Sequence, residues 1–343
     1  MPSFSDRLIA WQQRHGRHDL PWQRTTEPYR VWLSEIMLQQ TQVATVIPYY
    51  ERFLARFPTL ESLAEAPVED VMALWSGLGY YARARNLHRC AQALMTHHAG
   101  QFPRDPALIA SLPGIGRSTA NAIADFCFAA RMPILDGNVK RVLCRYLGIE
   151  GFPGNTAIEA RLWQEAAELL PGKEVAAYIQ AQMDLGATIC TRKRPRCAAC
   201  PVAAGCIARR DGLMDALPTP RAKKPLPEKA VTLLVLRAGK QVAFEMRPDN
   251  GIWGGLLSLP ELPEDVEPAN FCAQQLGLRI RAVLPGLTFT HGFTHFRLRI
   301  QPLFCTVVGR PGQTNSGLRW LALDKWVQAP LPAPIRKLLN AIP

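Results

Sequence analysis

LPGIGRSTANAIADF, residues 112–126, decides how the first part of this chain is read. Gly114 and Gly116 let the backbone turn tightly and point its amides outward, and the residues after them enter a helix. Amides at a helix N-terminus bind phosphate without reading base sequence. The same pattern also describes an ordinary packing joint between two helices, so on its own it leaves both readings open.

Working outward, residues 1–210 carry helical periodicity. Apolar side chains recur at three and four, as in Val31, Leu33, Ile36 and Met37 leading to Gln40, and in Ile158, Leu162, Ala166 and Leu169. Pro58, Pro67, Gly77, Pro103 and Pro133 punctuate the helices. Downstream of the hairpin stands ILDGNVKRVLCRYLG, 134–148, in which Asp136 occupies the N-cap position of a periodic helix. Beside the hairpin, the same carboxylate would also face a bound strand. Lys140, Arg141 and Arg145 add positive charge on that helix. Upstream, VWLSEIMLQQTQV, 31–43, sets Glu35 among Trp32, Leu33, Ile36 and Met37. Most glutamates point to solvent. A desolvated one has a raised pKa and donates a proton near neutral pH.

Cys190, Cys197, Cys200 and Cys206 follow a C-x6-C-x2-C-x5-C spacing, and the first interval holds Thr-Arg-Lys-Arg-Pro-Arg. Four thiolates that close so basic a loop suit a metal-pinned claw for a phosphate backbone. Their spacing fits either a [4Fe-4S] cluster or a zinc ion. Cys90, Cys127, Cys144, Cys272 and Cys305 stand singly and read as small core residues.

With 40 Lys and Arg against 28 Asp and Glu, the net charge of +12 points to nucleic acid or another anionic partner. No apolar run reaches the roughly 20 residues of a membrane span. The N-terminal Met-Pro-Ser-Phe-Ser-Asp-Arg lacks a signal peptide's apolar core, so a cytoplasmic protein without a membrane role is expected. Nine cysteines there argue against a disulfide framework. Residues 211–229, rich in Pro and Lys, read as a semi-rigid linker on which a repair or replication partner could dock. Beyond it, VTLLVL (231–236), QVAFEM (241–246) and the alternating 297–301 read as strands, with a helix near 268–276. The expected architecture is a mostly α N-terminal region over 1–210, with a thiolate loop at 190–206, and a smaller α+β domain over 230–343.

The hairpin, Asp136 and the cysteine spacing together resemble the helix–hairpin–helix DNA glycosylases of the endonuclease III superfamily. SEIMLQQTQV, WSGLGYYARARNL (75–87) and LDGNVKRV look like the adenine DNA glycosylases of the MutY type. The resemblance covers nearly the whole chain. It implies two helical lobes for the N-terminal region, a [4Fe-4S] cluster on the four cysteines, duplex DNA with adenine opposite 8-oxoguanine or guanine as substrate, and a monomer. The lyase branch carries an amine nucleophile just after the hairpin's Gly-Arg. Ser118 stands there instead, which predicts a monofunctional glycosylase. Glu35 is the candidate acid on adenine N7, and Asp136 the anion that stabilises oxocarbenium-like charge, the two-carboxylate logic of glycoside hydrolysis. The reacting base must leave the stack. By resemblance Gln40 and Tyr80 take wedge positions, Gln180 and Met183 line the adenine pocket, Ser118 sits at its edge and Asn138 near Asp136. Interior packing is the plain alternative for Tyr80.

Residues 230–343 resemble the Nudix-like domain of that family. Gly255 and Glu261 keep a trace of the Nudix motif, but 262–278 lacks the glutamate pairs that hold metal, which disfavours pyrophosphate hydrolysis. Phe293-Thr294-His295 matches a Phe-Ser-His loop that reads 8-oxoguanine, with threonine keeping the hydroxyl and adding a methyl. A plain hairpin turn is the alternative. Rival functions are an endonuclease III-like glycosylase/lyase and a non-catalytic, redox-sensing DNA-binding protein.

Overall fold

Alternate spacings of three and four become helices from the N-terminus onward. The computed structural model describes residues 2–222, 225–248, 251–309, 317–322, 325–326 and 329–340. Helices α1 (Phe4–His15), α2 (Pro28–Leu38), α3 (Val43–Arg56), α4 (Leu60–Ala64), α5 (Val68–Trp75) and α6 (Ala82–His97) come first. Then follow α7 (Pro106–Ser111), α8 (Arg117–Phe128), α9 (Gly137–Tyr146), α10 (Thr156–Glu168), α11 (Val175–Thr188) and α12 (Ile207–Arg210). No strand occurs among the described residues before 228. Short polar side chains start several helices: Asp105 accepts from Ala107 N, and Asn155 from Ala157 N.

The chain divides into two compact units, Met1–Glu65 with Asn86–Lys223, and Ala66–Arg85 with Lys224–Pro343. In the first unit, one core joins α1 to α9, α10 and α11 through Leu8, Val142, Leu143, Leu162, Ile179 and Leu185. Trp32, Leu33 and Met37 of α2 and Phe53 of α3 are fully buried as well. Residues 66–85, which the sequence reading counts with the helical region, group with the second unit. Within that unit the Tyr81 hydroxyl donates to Leu331 O at 3.5 Å, and Arg336 Nη2 donates to Ser76 Oγ at 2.8 Å. A helical period cannot tell which neighbour a short helix will choose. Of the linker, residues 223 and 224 lie outside the described residues. Its early part packs on the first unit, where Leu217 O accepts from Arg145 and Thr219 Oγ1 from Gly151 N.

The second unit is a mixed sheet. Its strands are β1 (Glu228–Ala238), β2 (Gln241–Met246), β3 (Leu257–Ser258), β4 (Glu261–Leu262), β5 (Ile280–Pro285), β6 (Phe289–Gly292), β7 (Arg297–Val307) and β8 (Arg319–Ala322). The central order is β3-β2-β1-β7-β5, and β1 runs parallel to β7 from Glu228↔Arg297 to Arg237↔Thr306. Helices α13 (Pro268–Gln275) and α14 (Ala333–Asn340) complete it. The continuous apolar run 231–236 has a physical cause. Leu233 and Val235 join a core with α14, while Leu234 and Leu236 join another with Cys272 and Leu276 at α13. A strand covered on both faces loses the polar alternation of a half-wet one.

Leu233→Ala and Leu234→Ala should therefore each cost about 2–5 kcal/mol in denaturant unfolding of the second unit. A loss at only one of the two positions would mean that one face of β1 is wet.

Candidate active site

Glu35 reaches its place because α2 is apolar on nearly every side: Val31, Trp32, Leu33, Ser34, Ile36 and Met37 are all buried around it. Its carboxyl has no hydrogen-bond partner among the described residues. Burial first, and then the charge of Asp136, push it from an ordinary 4.5 up to about 7. Asp136 caps α9, its Oδ1 accepting from Val139 N at 2.8 Å and its Oδ2 from Asn138 Nδ2 at 3.3 Å. Burial raises this carboxyl too, but the Val139 and Asn138 amides and the Arg141 guanidinium oppose the shift. The donors lie on one side only. Asp136 thus has donors that oppose its rise, Glu35 has none, and the charge of Asp136 adds to the rise at Glu35.

Both acids line one groove of about 830 Å³ together with Gln40, Ser118, Asn138 and Met183. Glu35 and Met183 also line an adjoining cavity of about 340 Å³, which Arg17, Phe126 and Gln180 share. The structure thus brings together seven of the residues singled out in the sequence. Gln40 sits exposed at φ 57°, just past the end of α2. Ser118 has an added role, since its Oγ accepts from Leu135 N at 3.0 Å and so fastens the segment that delivers Asp136.

The two hairpin glycines differ. Gly114 has φ 78°, and a Cβ there would lie 2.6 Å from Asn86 Cβ, so both backbone and space require glycine. Gly116 has φ −91° and ψ 168°, an extended conformation open to any residue, and a Cβ there would meet open space. The expectation that both glycines serve the turn holds for Gly114 alone. Gly116 is the N-cap of α8 without a side-chain cap, which leaves first-turn amides of that helix without a capping acceptor.

The three cations of α9 each have partners within the fold. Lys140 Nζ pairs with Glu159 at 2.7 Å. Arg141 donates to Cys190 O at 2.8 Å, Gly186 O at 2.7 Å and Asn138 Oδ1 at 2.8 Å. Arg145 is buried and donates to Leu217 O, Thr191 O and Arg192 O at 2.7, 2.7 and 3.2 Å. Positions 141 and 145 share the inward face of one helix, a direction that charge alone does not reveal. In the thiol loop Arg192, Lys193, Arg194 and Arg196 are exposed, the last donating to Thr188 O at 2.7 Å.

Cys190, Cys197, Cys200 and Cys206 all line one cavity with Arg145, Ile189 and Met214. Among the described residues no three His, Cys, Asp or Glu side chains are grouped closely enough to hold one metal ion. Burial first, then the charges of the other three thiols, raise Cys200 to about 11.

Tyr80, in the second unit, is half exposed at φ 49°, with the Arg83 guanidinium 5.6 Å from its ring centroid. Phe293, Thr294 and His295 form the tip of the β6–β7 hairpin. Phe293 stacks on Phe296 at 4.4 Å, while Thr294 and His295 are exposed. Glu261 takes a hydrogen bond from Arg247 at 2.9 Å.

Two polar groups escaped the sequence reading. Asp184 is fully buried and binds Arg17, whose backbone N lies 2.9 Å from Oδ2 and whose Nη2 lies 2.7 Å from Oδ1. Gly186 lets α11 close on α9, since a Cβ there would lie 2.5 Å from Asn138 Cβ. A spacing pattern carries no signal for a pairing across 167 residues.

Known proteins match this geometry in both parts. The pattern of the HhH-GPD superfamily base excision DNA repair proteins matches residues 33–168, and that of the NUDIX domain residues 231–341. An adenine DNA glycosylase of Buchnera aphidicola from Acyrthosiphon pisum is 36% identical over 339 residues, covering 98% of this chain and 97% of the relative. The Homo sapiens adenine DNA glycosylase is 32% identical over 403 residues, covering 98% of this chain and 73% of its own. Among solved structures, a thermostable thymine-DNA glycosylase superposes with a TM-score of 0.56 at 26% identity, covering 61% of this chain and 95% of its own. An endonuclease III–DNA complex shares the fold at 0.53 and 21% identity, covering 61% of this chain and 94% of its own.

The raised Glu35 carboxyl sets a stability prediction. The folded state holds this proton more tightly than the unfolded chain, so Glu35 costs stability as pH rises from 4.5 to about 7, and the cost then levels off. Glu35→Gln should gain on the wild type by about 2–3 kcal/mol at about pH 8 relative to about pH 5, read by denaturant unfolding. Equal differences at both pH values would contradict a raised carboxyl.

Proposed function

The chain belongs to the adenine DNA glycosylases, base excision repair enzymes that act on DNA, and we propose that it hydrolyses the N-glycosidic bond of adenine opposite 8-oxoguanine or guanine, without a lyase step. The observation that carries this reading is the pair of unlike carboxylates on one groove: Glu35 raised to about 7 and bare of donors, Asp136 capped by donors.

Adenine leaves poorly as an anion. With the base turned out of the stack and held in the cavity beside Gln180 and Met183, Glu35 donates its proton to N7. The C1′–N9 bond breaks, and its electron pair stays with the neutral, protonated base. The sugar becomes oxocarbenium-like, and the Asp136 carboxylate lies where it can oppose that charge. Water adds at C1′ and loses a proton, leaving an abasic site. Ser118 offers a hydroxyl already hydrogen-bonded to Leu135, and Lys140 is paired with Glu159, so neither supplies a ready amine for Schiff-base chemistry. The open first-turn amides of α8 suit a phosphate, and Gly116 allows close backbone approach.

Gln40, exposed and at positive φ just past α2, suits insertion where the base has left; for Tyr80, exposed and at positive φ in the second unit, the wedge role is what the resemblance implies. Thr294 and His295 offer a hydroxyl and an imidazole at an exposed hairpin tip, chemistry that suits reading the oxidised guanine. The expected domain limits, monomeric state and cytoplasmic location belong to the same reading. No helix of the described residues is long and apolar enough to cross a membrane.

The four cysteines line one cavity, and the resemblance assigns them a [4Fe-4S] cluster, which takes one thiolate at each iron corner. Such a group would supply the positive charge that lets four crowded thiolates coexist, and would hold the Arg192–Arg196 loop in one shape.

Two outcomes are expected. On duplexes with adenine opposite 8-oxoguanine, strands should be cut only after alkali, and Glu35→Gln or Asp136→Asn should slow single-turnover base release by about 10²–10⁴-fold. Cutting without alkali would favour a lyase. Purified under argon, the protein should carry iron and acid-labile sulfide in equal amounts, lost in Cys197→Ala; zinc alone would contradict the cluster.

A further inference from the structure

Asp184 lies outside the two-carboxylate chemistry and behind the wall of the cavity, where it is the most completely buried charged residue among the described residues. Its side chain is fully buried, and its Oδ1 accepts from Arg17 Nε at 2.8 Å, from Arg17 Nη2 at 2.7 Å and from Gln180 Nε2 at 2.9 Å. Its Oδ2 accepts from Arg17 N at 2.9 Å. Arg17 and Gln180 line the same cavity as Glu35. Both of their side chains are long and rotamer-rich, so a shared buried anchor is what gives them one geometry.

A primary amide can face either way, because its oxygen and nitrogen differ little in shape. Here the partner decides. A carboxylate paired with a guanidinium offers only acceptors, so Gln180 must turn its NH2 to Asp184. Its Oε1 is then the atom left for the cavity, and it has no partner among the described residues. Arg17 spends Nε and Nη2 on the same carboxylate, which leaves Nη1, likewise unpartnered among the described residues. The wall therefore presents one fixed acceptor and one fixed donor.

We propose that Asp184 is the positioning residue for base selection: by fixing the amide of Gln180 it makes the cavity accept a hydrogen bond from the exocyclic amine of a purine and reject a base bearing a carbonyl at that atom. The inference rests on reading this cavity as the seat of the extruded adenine. A buried acceptor left unpaired is costly, so the cavity discriminates by what it leaves unsatisfied. Asp184→Asn would break the rule by chemistry more than by size. The new amide brings hydrogens that can meet the Gln180 oxygen and turn its NH2 to the cavity.

The test compares single-turnover base release from duplexes carrying adenine, purine (which lacks the amine) or hypoxanthine (which bears a carbonyl), each opposite 8-oxoguanine. Wild type, Asp184→Asn and Gln180→Leu are used as full-length protein, with thermal unfolding alongside. Asp184→Asn should slow release of adenine by about 10- to 100-fold, leave purine nearly unchanged and raise hypoxanthine relative to adenine. Gln180→Leu should show the same selective loss with Asp184 and Arg17 still paired, which keeps the question answerable if Asp184→Asn does not fold. Equal losses on adenine and purine in the folded variants would make Asp184 a purely structural residue and overturn the proposal. Release of no base at all by the wild type would overturn the reading of the cavity, and the proposal with it.

Discussion

One carboxylate has to do two things at once, and the first unit is arranged around that demand. Asp136 must stay at the N-terminus of α9, where Val139 N donates at 2.8 Å, and must also face the groove that Glu35 enters from α2. Cap duty opposes the rise that burial imposes on this acid: the helix terminus and Asn138 supply the donors that water would otherwise give. Its charge then helps keep the neighbouring acid protonated. Ser118, bound to Leu135 N, fixes the approach from one side, and Gly186 admits α11 from the other.

Arg141 and Arg145 carry the same constraint outward. Both are inward-facing residues of α9, and between them they hold Gly186, Cys190, Thr191, Arg192 and Leu217 by their carbonyls. The helix capped by Asp136 is thus also the frame of the thiol loop. Arg192, Lys193 and Arg194 of that loop remain open to a phosphate backbone, because its shape is held by two arginines that are not exposed.

Much of this was legible in the sequence wherever chemistry sits in short contiguous motifs. The hairpin, the Asp136 cap, the apolar setting of Glu35, the cysteine spacing and the strand runs 231–236 and 241–246 each declare themselves within about fifteen residues. What stayed hidden is directional or long-range. A basic residue on a helix does not announce whether it turns to DNA or to its own backbone, so Arg145 read only as positive charge on α9. Gly116 read as a turn former because a glycine's conformation is invisible until φ is known. Arg17 and Asp184 meet across 167 residues, and neither lies in a motif. Glu35 was ambiguous for the opposite reason: its neighbours in sequence showed the burial, but not the second acid that completes the shift.

The account stands most directly on the protonation order of the two acids. Carbon-13 carboxyl NMR of the labelled free protein, assigned with Glu35→Gln and Asp136→Asn, would follow each group separately across pH. The account predicts that Asp136 ionises first and that Glu35 follows near pH 7, moving lower when Asp136→Asn removes the neighbouring charge. Titration of Glu35 near its ordinary 4.5, unmoved by Asp136→Asn, would contradict it.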